Sequence, residues 1–281
     1  MKYLCPRTLA DAESALARED ALALAGGSDL LVHLGCDRDW PGTLVDLKNL
    51  KELQGVESEG GLLRLGAALT VSELADSREI HSFPALKEAC RSFAGRQICN
   101  RATLGGNLVN ASPAADLVPP LITHEAQLVT TRRRMPVEEL AVGPGETCLE
   151  AGEILLSVEL PWPPDESRDF FFKLAPRDAM SISVVSVAGL LLFRDKEVLA
   201  ARLALGSVAA TVIRAKEAER ALEGKCLSPD GIRKAASLAA AASSPIDDLR
   251  GSASYRREMV ERILIRSLLD LVESGENIVG S

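Results

Sequence analysis

Two glycine pairs, roughly eighty residues apart, are the parts of this sequence best suited to binding chemistry. The first loop is Ala25-Gly26-Gly27-Ser28-Asp29-Leu30, and the second loop is Thr103-Leu104-Gly105-Gly106-Asn107. Glycine lacks a Cβ, so it can adopt positive φ angles and lets a ligand approach the backbone closely. Successive N–H groups of such a loop can converge on an anion without help from Lys or Arg. We therefore predict that the two glycine loops face each other and hold a pyrophosphate between them.

Short polar side chains strengthen this interpretation, although an ordinary turn is the alternative for each loop. Ser28, Thr103 and Asn107 would add donors, and a short helix beginning near Ser28 would direct its positive end to the same place. Neither loop is followed by Gly-Lys-Ser/Thr, and neither matches G-x-G-x-x-G. The sequence therefore carries neither a Walker loop nor an ordinary Rossmann fingerprint. From the residues alone, a phosphate loop and a plain turn both remain open.

Composition favours a soluble globular protein and argues against several other classes. The 281 residues are enough for two domains or three small ones, and the formal net charge of −8 argues against nucleic-acid binding. The N-terminus has no apolar segment typical of a signal peptide, and no apolar run is long enough to span a membrane, so we expect a cytoplasmic protein. The three histidines, His33, His81 and His124, are too dispersed to indicate a metal site or a catalytic triad.

The cysteines indicate that any metal centre lies on another chain. All six are isolated in sequence, without a C-x-x-C pair, which argues against zinc and against an iron–sulfur cluster held by this chain alone. In the cytoplasm such residues are typically reduced thiols. We predict no metal ligand and no catalytic side chain in this sequence.

Apolar patterns predict an α+β fold in three parts. Residues 1–52 read as a small α/β unit in which a strand at 21–25 enters the first glycine loop and another strand covers 43–47. Residues 53–164 form a second unit, with strands at 62–67, 126–131 and 153–160 and a short helix at 112–117 that Pro119 and Pro120 interrupt. Thr70 and Glu73 have the spacing of a capping box, and the prolines at 161, 163 and 164 mark the boundary of the third part.

The third part, residues 165–281, reads as a sheet followed by helices. Apolar runs at 170–174, 183–193 and 198–205 predict a three-stranded antiparallel sheet with a tight turn at 194–197. Helices are predicted at about 211–222, 229–242 and 254–272. The last of these carries a stripe of apolar residues that would pack on the sheet as part of a helical bundle.

The order of motifs along nearly the whole chain resembles the FAD-binding medium subunit of the molybdenum hydroxylases. This group includes xanthine dehydrogenase and the aerobic carbon monoxide dehydrogenases. The motifs are the two glycine loops, Phe93-Ala94-Gly95-Arg96-Gln97-Ile98, Ala111-Ser112-Pro113-Ala114-Ala115-Asp116-Leu117, Gly143-Pro144-Gly145, Glu153-Ile154-Leu155-Leu156, and Lys173 with Arg177-Asp178. Any one of them would be weak evidence, whereas the set in this order is specific.

The resemblance implies a fold, a cofactor and a set of contacts. The fold would be the vanillyl-alcohol-oxidase type, with two α/β subdomains that bind FAD and a C-terminal domain. The first loop (Ala25, Gly26, Gly27, Ser28, Asp29, Leu30) and the second loop (Thr103, Leu104, Gly105, Gly106, Asn107) would line the pyrophosphate from opposite sides. Phe93, Asp116, Leu155 and Lys173 match further FAD contacts of the family. For these four residues the alternative interpretations are, in the same order, a core aromatic residue, a helix cap, a core aliphatic residue and a solvated lysine.

The resemblance also implies partners and a role. One partner chain would carry molybdopterin and another would carry two [2Fe–2S] clusters. Electrons would pass from the clusters through FAD to a final acceptor, which could be NAD, a quinone, oxygen or another carrier. Two alternatives remain: a self-sufficient FAD-dependent oxidoreductase of the same fold, and a scaffold that has lost its flavin. The variant of the family with a cysteine-rich insertion for another cluster is not favoured, because this chain has no such insertion.

Overall fold

A computed structural model describes residues 1–36, 39–177 and 181–276 of the chain. Within these ranges the strands form three main sheets and one small hairpin. No helix in the described ranges combines the length and the apolar character that a membrane span requires.

The first sheet is parallel and places the first glycine loop at the edge where its strands end. The strands are β1 (Lys2–Leu4), β2 (Ala21–Leu24) and β3 (Thr43–Asp46), in the order β1-β3-β2, and the helices are α1 (Leu9–Leu16) and α2 (Leu30–His33). Thr8 caps α1 by accepting a hydrogen bond from the Asp11 N–H. Residues 25–29 connect β2 to α2, so the first loop lies at the carboxyl end of a parallel strand, where open α/β sheets bind ligands.

The second sheet is antiparallel and is surrounded by short helices. Its order is β4-β5-β10-β6-β7, with β4 (Val56–Glu59), β5 (Leu62–Gly66), β6 (Gln127–Thr130), β7 (Arg134–Pro136) and β10 (Leu155–Pro161). The hairpin is β8 (Ala141–Gly143) with β9 (Glu146–Thr147). The helices are α3 (Val71–Asp76), α4 (Pro84–Arg91), α5 (Arg96–Cys99), α6 (Leu104–Val109) and α7 (Val118–Thr123), together with 3-10 turns at Lys51–Leu53, Glu79–Ser82 and Val137–Glu139.

One local prediction in this region is confirmed and another is wrong. Thr70 and Glu73 form a complete capping box at the start of α3. The predicted helix at residues 112–117 is absent, and Pro119 and Pro120 open α7 rather than interrupt a helix. Proline is well tolerated in a first helical turn, because the N–H that it lacks has no partner there and its φ is already helical.

The third sheet contains the three long strands that the sequence predicts, extended by two short ones. The long strands are β11 (Ser167–Leu174), β12 (Val185–Arg194) and β13 (Glu197–Gly206), and both β14 (Ile213–Arg214) and β15 (Lys225–Cys226) pair with β13. The prediction of a three-stranded sheet was therefore incomplete, since two-residue strands leave no periodic pattern in a sequence. Helices α8 (Lys216–Leu222), α9 (Pro229–Ala242) and α10 (Ala253–Glu276) follow, and α8 begins later than predicted because β14 occupies residues 213–214.

The third sheet is buried on both faces. On one face Phe171, Ala188 and Ala204 belong to the core formed by the N-terminal region. On the other face Val187 and Leu203 pack with residues of α8, α9 and α10. Small residues on the first face let the N-terminal region approach the sheet closely, so side chains at this boundary can take part in a site on the N-terminal side.

Arg256 of α10 connects the ends of two strands with the turn that precedes the helix. Its buried guanidinium donates to the carbonyl oxygens of Val184 at 2.8 Å and Ser207 at 2.9 Å, and to Asp248 Oδ1 at 2.6 Å. Desolvation opposes ionisation of Asp248, but hydrogen bonds from the Arg250 N–H and from Arg256 outweigh it and lower the pKa of Asp248 to about 2.

We expect Asp248→Asn to lower stability at neutral pH and to have less effect in acid. The folded pKa of about 2 lies below the ordinary aspartate value of 3.8. The stabilisation from this carboxylate is therefore present above the ordinary pKa and is lost as pH falls toward the folded pKa. Melting temperatures of the two proteins should differ at pH 7 and converge between about pH 4 and pH 2. Asp230→Asn, at an exposed ion pair with Arg233, serves as the control and should change little.

Candidate cofactor-binding site

The first glycine loop packs against the two residues that lead into the second loop. A Cβ atom on Gly26 would lie 1.9 Å from the carbonyl oxygen of Arg101 and 3.0 Å from the Cα of Ala102, which immediately precedes the second loop. Only glycine allows the backbones to approach so closely. Gly27 has a φ of +73°, which is the left-handed conformation that glycine adopts without strain.

The first loop presents backbone donors that the protein leaves unused. In the described part of the chain, the N–H groups of residues 26 to 30 donate to no protein acceptor. They follow β2 and lead into the single turn of α2. The loop is partly accessible, and only Asp29 among its residues is exposed. Consecutive free N–H groups at this edge of a parallel sheet form a suitable cradle for phosphate oxygens.

The backbone of the second loop is arranged differently. The Leu104 N–H donates to Leu69 at 2.8 Å, and the Gly105 N–H donates to the Ala67 carbonyl at 2.8 Å. The N–H groups of Gly106 and Asn107 both bond to Thr103, at 3.1 Å to its Oγ1 and 2.9 Å to its carbonyl oxygen. The N–H groups of Leu104, Gly105, Gly106 and Asn107 are thus used within the protein. The hypothesis that both loops offer N–H groups therefore has structural support only for the first loop.

The second loop instead offers an open glycine face and side-chain donors. A Cβ atom on Gly106 would meet only Thr103 Oγ1, at 2.8 Å, whereas one on Gly105 would clash with Ala67. Gly105 is therefore a packing glycine, and Gly106 is the glycine whose missing side chain leaves space beside the loop. The Asn107 side chain accepts a hydrogen bond from the Leu117 N–H at 3.3 Å through Oδ1. Its amide nitrogen is left as a donor, as is the Thr103 hydroxyl hydrogen.

Asp116 and Lys173 form a buried ion pair. Lys173 Nζ lies 2.6 Å from Asp116 Oδ2, and both side chains are about 95% buried. Burial raises the pKa of the Asp116 carboxyl, and the Lys173 ammonium opposes that rise. Asp116 Oδ1 is buried without a hydrogen bond of normal geometry, and the nearby Ser183 hydroxyl, like Lys173, opposes the rise in the pKa of this carboxyl. Asp116 is thus not a helix cap and Lys173 is not solvated, which removes both of their alternative interpretations.

Lys173 also fixes the end of α4. Its ammonium donates to the carbonyl oxygens of Ser92 at 2.9 Å and Phe93 at 3.1 Å, where the helix has just ended. A cation is favourable at the C-terminal end of a helix dipole. Phe93 itself is half-buried against the N-terminal core. A strand of the C-terminal region therefore positions an aromatic residue of the N-terminal region.

The candidate residues form one connected set. Asn107 links the second loop to Leu117, which adjoins Asp116, and Asp116 leads through Lys173 to Phe93. Leu155 is buried at the start of β10, and its neighbour Leu156 accepts a hydrogen bond from Ala67, the residue on which Gly105 packs. Arg177 is exposed, and Asp178 of the same motif lies outside the described residues.

The histidines lie in separate places. His124 Nε2 is 2.7 Å from Asp169 Oδ2, fully buried beside Phe83, and His81 bonds through Nδ1 to the Arg78 carbonyl. Over the ranges that the structure covers, no group of three His, Cys, Asp or Glu side chains could hold a metal ion. The site as described is therefore built from backbone donors, small side chains and one ion pair.

Comparisons with known proteins show the family to which the chain belongs. A family model described as the FAD binding domain in molybdopterin dehydrogenase matches residues 1–163. A second, described as the CO dehydrogenase flavoprotein C-terminal domain, matches residues 170–271. The xanthine dehydrogenase FAD-binding subunit of Escherichia coli O157:H7 is 34% identical over 276 residues, covering 95% of this chain and 94% of the relative.

Solved structures show the same similarity in three dimensions. A chain of carbon monoxide dehydrogenase from Hydrogenophaga pseudoflava superposes with a TM-score of 0.92 at 30% identity, covering 95% of each chain. A chain of quinoline 2-oxidoreductase from Pseudomonas putida 86 gives a TM-score of 0.90 at 30% identity, covering 98% of this chain and 97% of the other.

Proposed function

Since this chain belongs to the family of FAD-binding domains of molybdopterin dehydrogenases, we propose that it is the electron-transferring FAD subunit of a molybdenum hydroxylase complex. In this role it would receive electrons from iron–sulfur clusters on a partner chain and deliver them to a final acceptor. Bound FAD supplies the ability to take electrons singly and to release them in pairs, and the protein supplies binding, orientation and electrostatics.

The observation that carries the proposal is the row of unused N–H groups in the first glycine loop, beside the residues that lead into the second loop. A pyrophosphate needs several donors at one place, and the first loop supplies them without any cationic side chain. The open face of Gly106 gives the ligand room on the other side.

We assign the site residues to two parts of the cofactor. Ala25, Gly26, Gly27, Ser28, Asp29 and Leu30, with Thr103, Leu104, Gly105, Gly106 and Asn107, would surround the pyrophosphate. Phe93, Asp116, Leu155 and Lys173 would line the flavin ring. The Lys173 ammonium would favour negative charge on the reduced ring through space, because all three of its donors are used by protein groups.

The sheets support the three-part division that the sequence predicts. The parallel sheet lies within residues 1–52, the second sheet within 53–164 and the third within 165–281. A cytoplasmic location is consistent with the cysteines, which are all free thiols. The partners would be a molybdopterin-binding large subunit and a [2Fe–2S] small subunit, and the large subunit would choose the substrate.

Purification of the chain with its natural partners tests the proposal. We expect a yellow protein with one FAD per chain, accompanied by two further subunits that mass spectrometry identifies and that carry molybdenum and iron. The chain stripped of FAD should rebind it and regain the flavin spectrum.

Two results would contradict the proposal. A colourless chain that cannot be reconstituted with FAD would indicate a scaffold. Steady turnover of a small substrate by the isolated flavin-loaded chain, without any partner, would indicate a self-sufficient oxidoreductase.

A further inference from the structure

One stretch of the chain carries positive charge only. Between Glu88 and Asp116 the sequence holds three arginines, Arg91, Arg96 and Arg101, and no acidic residue. The chain as a whole has 40 acidic residues against 32 lysines and arginines, so this stretch differs from its surroundings. A local excess of positive charge on an acidic protein produces a potential that attracts and orients an anionic partner.

The charges of this stretch are available to another molecule. Arg96 and Arg101 are exposed, and within the described ranges neither side chain forms an ion pair or a hydrogen bond. The Arg91 side chain is 84% exposed, and its guanidinium lies 3.9 Å from Glu88, at the outer limit of an ion pair. An exposed pair at this separation is weak and leaves most of the arginine charge unneutralised.

Arg96 and Arg101 flank an exposed isoleucine. Arg96 begins α5, Arg101 follows its end, and the Arg101 N–H donates to the carbonyl oxygen of Ile98 at 2.9 Å. Ile98 is 41% exposed, whereas its neighbour Cys99 is buried. Protein interfaces are enriched in arginine and have an apolar centre, and this turn combines both. We refer to Arg96, Ile98 and Arg101 as the α5 surface.

The α5 surface fits a protein better than other kinds of ligand. Sites for small molecules are concave and enclose most of the ligand, whereas these three side chains are exposed on one short turn. A nucleic acid would be repelled by the rest of the chain, whose formal net charge is −8. A protein with an acidic face can instead contact the arginines locally and cover Ile98.

The α5 surface adjoins both parts of the candidate cofactor site. Gly95 precedes α5 as its N-cap and is two residues from Phe93, which we assign to the flavin ring. At the other end, the carbonyl oxygen of Arg101 packs against Gly26 of the first loop, where a Cβ atom would lie only 1.9 Å away. A chain docked on the α5 surface would therefore lie beside the bound cofactor.

We propose that the α5 surface is the docking site of the iron–sulfur partner chain, which presents an acidic face to Arg96 and Arg101. This inference rests on the proposed function. Of the two proposed partners, the iron–sulfur chain is the one that must approach the flavin, because it passes electrons to it. Charge complementarity would speed and orient the encounter, and Ile98 would supply an apolar contact at the centre of the interface.

The double substitution Arg96→Glu/Arg101→Glu in the full-length, FAD-loaded chain tests this inference. Binding is measured to the iron–sulfur chain that accompanies the wild-type protein, purified with its clusters. We expect the Kd for that chain to rise about tenfold or more, mainly through slower association, and to depend less on salt concentration. The FAD content should stay at one per chain. Arg96→Lys/Arg101→Lys, which keeps both charges, should retain most of the affinity.

Arg7→Glu/Arg257→Glu is the matched control. Both arginines are exposed and form no ion pair within the described part of the chain, and this double variant changes the net charge by the same amount. Its Kd for the iron–sulfur chain should stay close to that of wild type.

Three results would overturn the inference while the proposed function stands: an unchanged Kd in Arg96→Glu/Arg101→Glu, an equal rise in Kd in the control, or loss of FAD from Arg96→Glu/Arg101→Glu. A wild-type chain that binds FAD but associates with no iron–sulfur chain would overturn both.

Discussion

Gly106→Val should yield a folded chain without FAD. Gly106 is the glycine of the second loop whose absent side chain leaves open space, since a Cβ there would meet only Thr103 Oγ1. A valine would fill the space that the proposal gives to the pyrophosphate, so we expect affinity for FAD to fall by on the order of a hundredfold or more, about 3 kcal/mol. The ratio of flavin absorbance to protein after purification with excess FAD measures the loss.

A second glycine provides a close control for this substitution. Gly231 occupies the same position in α9: its N–H donates to the capping Ser228 Oγ at 3.1 Å, as the Gly106 N–H donates to Thr103 Oγ1 at 3.1 Å. Both sites lose a helical glycine, so the local backbone cost should be similar. Gly231→Val should therefore retain full FAD. A fully yellow Gly106→Val protein would show that the second loop does not line the site.

Lys173→Met should strongly destabilise the chain. The substitution leaves the Asp116 carboxylate buried without its counter-charge, and breaking a buried pair in this way typically costs about 3–5 kcal/mol. It also removes the donors to the Ser92 and Phe93 carbonyl oxygens. The free energy of unfolding of the flavin-free protein in urea, compared with wild type, measures the effect.

The pH dependence of the stability loss in Lys173→Met distinguishes the loss of the ion pair from the loss of packing. Burial raises the pKa of Asp116 in the folded state. The destabilisation that comes from burying this carboxylate is therefore absent below the ordinary aspartate pKa, and it develops as pH rises to the folded value. The deficit of Lys173→Met should therefore shrink at low pH, and a second substitution, Asp116→Asn, should restore part of the stability. Arg220→Met, at the exposed pair with Glu217, should cost far less. A deficit that is independent of pH would contradict an ionic role.

The same variant also tests the electronic role assigned to the lysine. If the ammonium favours negative charge on the reduced ring, Lys173→Met should lower the flavin reduction potential. An unchanged potential would leave Lys173 with a structural role only.

Local sequence signals predicted those features of the site that depend on a few adjacent residues. The strand before the first glycine loop, the short helix after it and the capping box at Thr70 are all found in the structure. Each rests on a local rule: glycine at a tight turn, or a hydroxyl and an acid three residues apart. The two glycine pairs together predicted that the loops face each other, and Gly26 packs against Arg101 and Ala102, which lead into the second loop.

Features that depend on distant partners could not be read from the sequence. In the second loop, the N–H groups of Leu104 and Gly105 donate to the carbonyl oxygens of Leu69 and Ala67, which come from the segment after β5. Lys173 reaches Asp116 and the end of α4 only because the third sheet packs on the N-terminal region. Both features follow from long-range contacts, which a single sequence does not display.

Lys173 is supplied by one half of the polypeptide, and its three acceptors are supplied by the other. A fragment ending before β11 would consequently retain Asp116 without its counter-ion, on a surface that the third sheet covers in the full chain. A chimera that takes its C-terminal half from a related subunit therefore needs a lysine at position 173, or a neutral residue in place of Asp116. The ion pair across this boundary thus limits which C-terminal halves can be exchanged between related subunits.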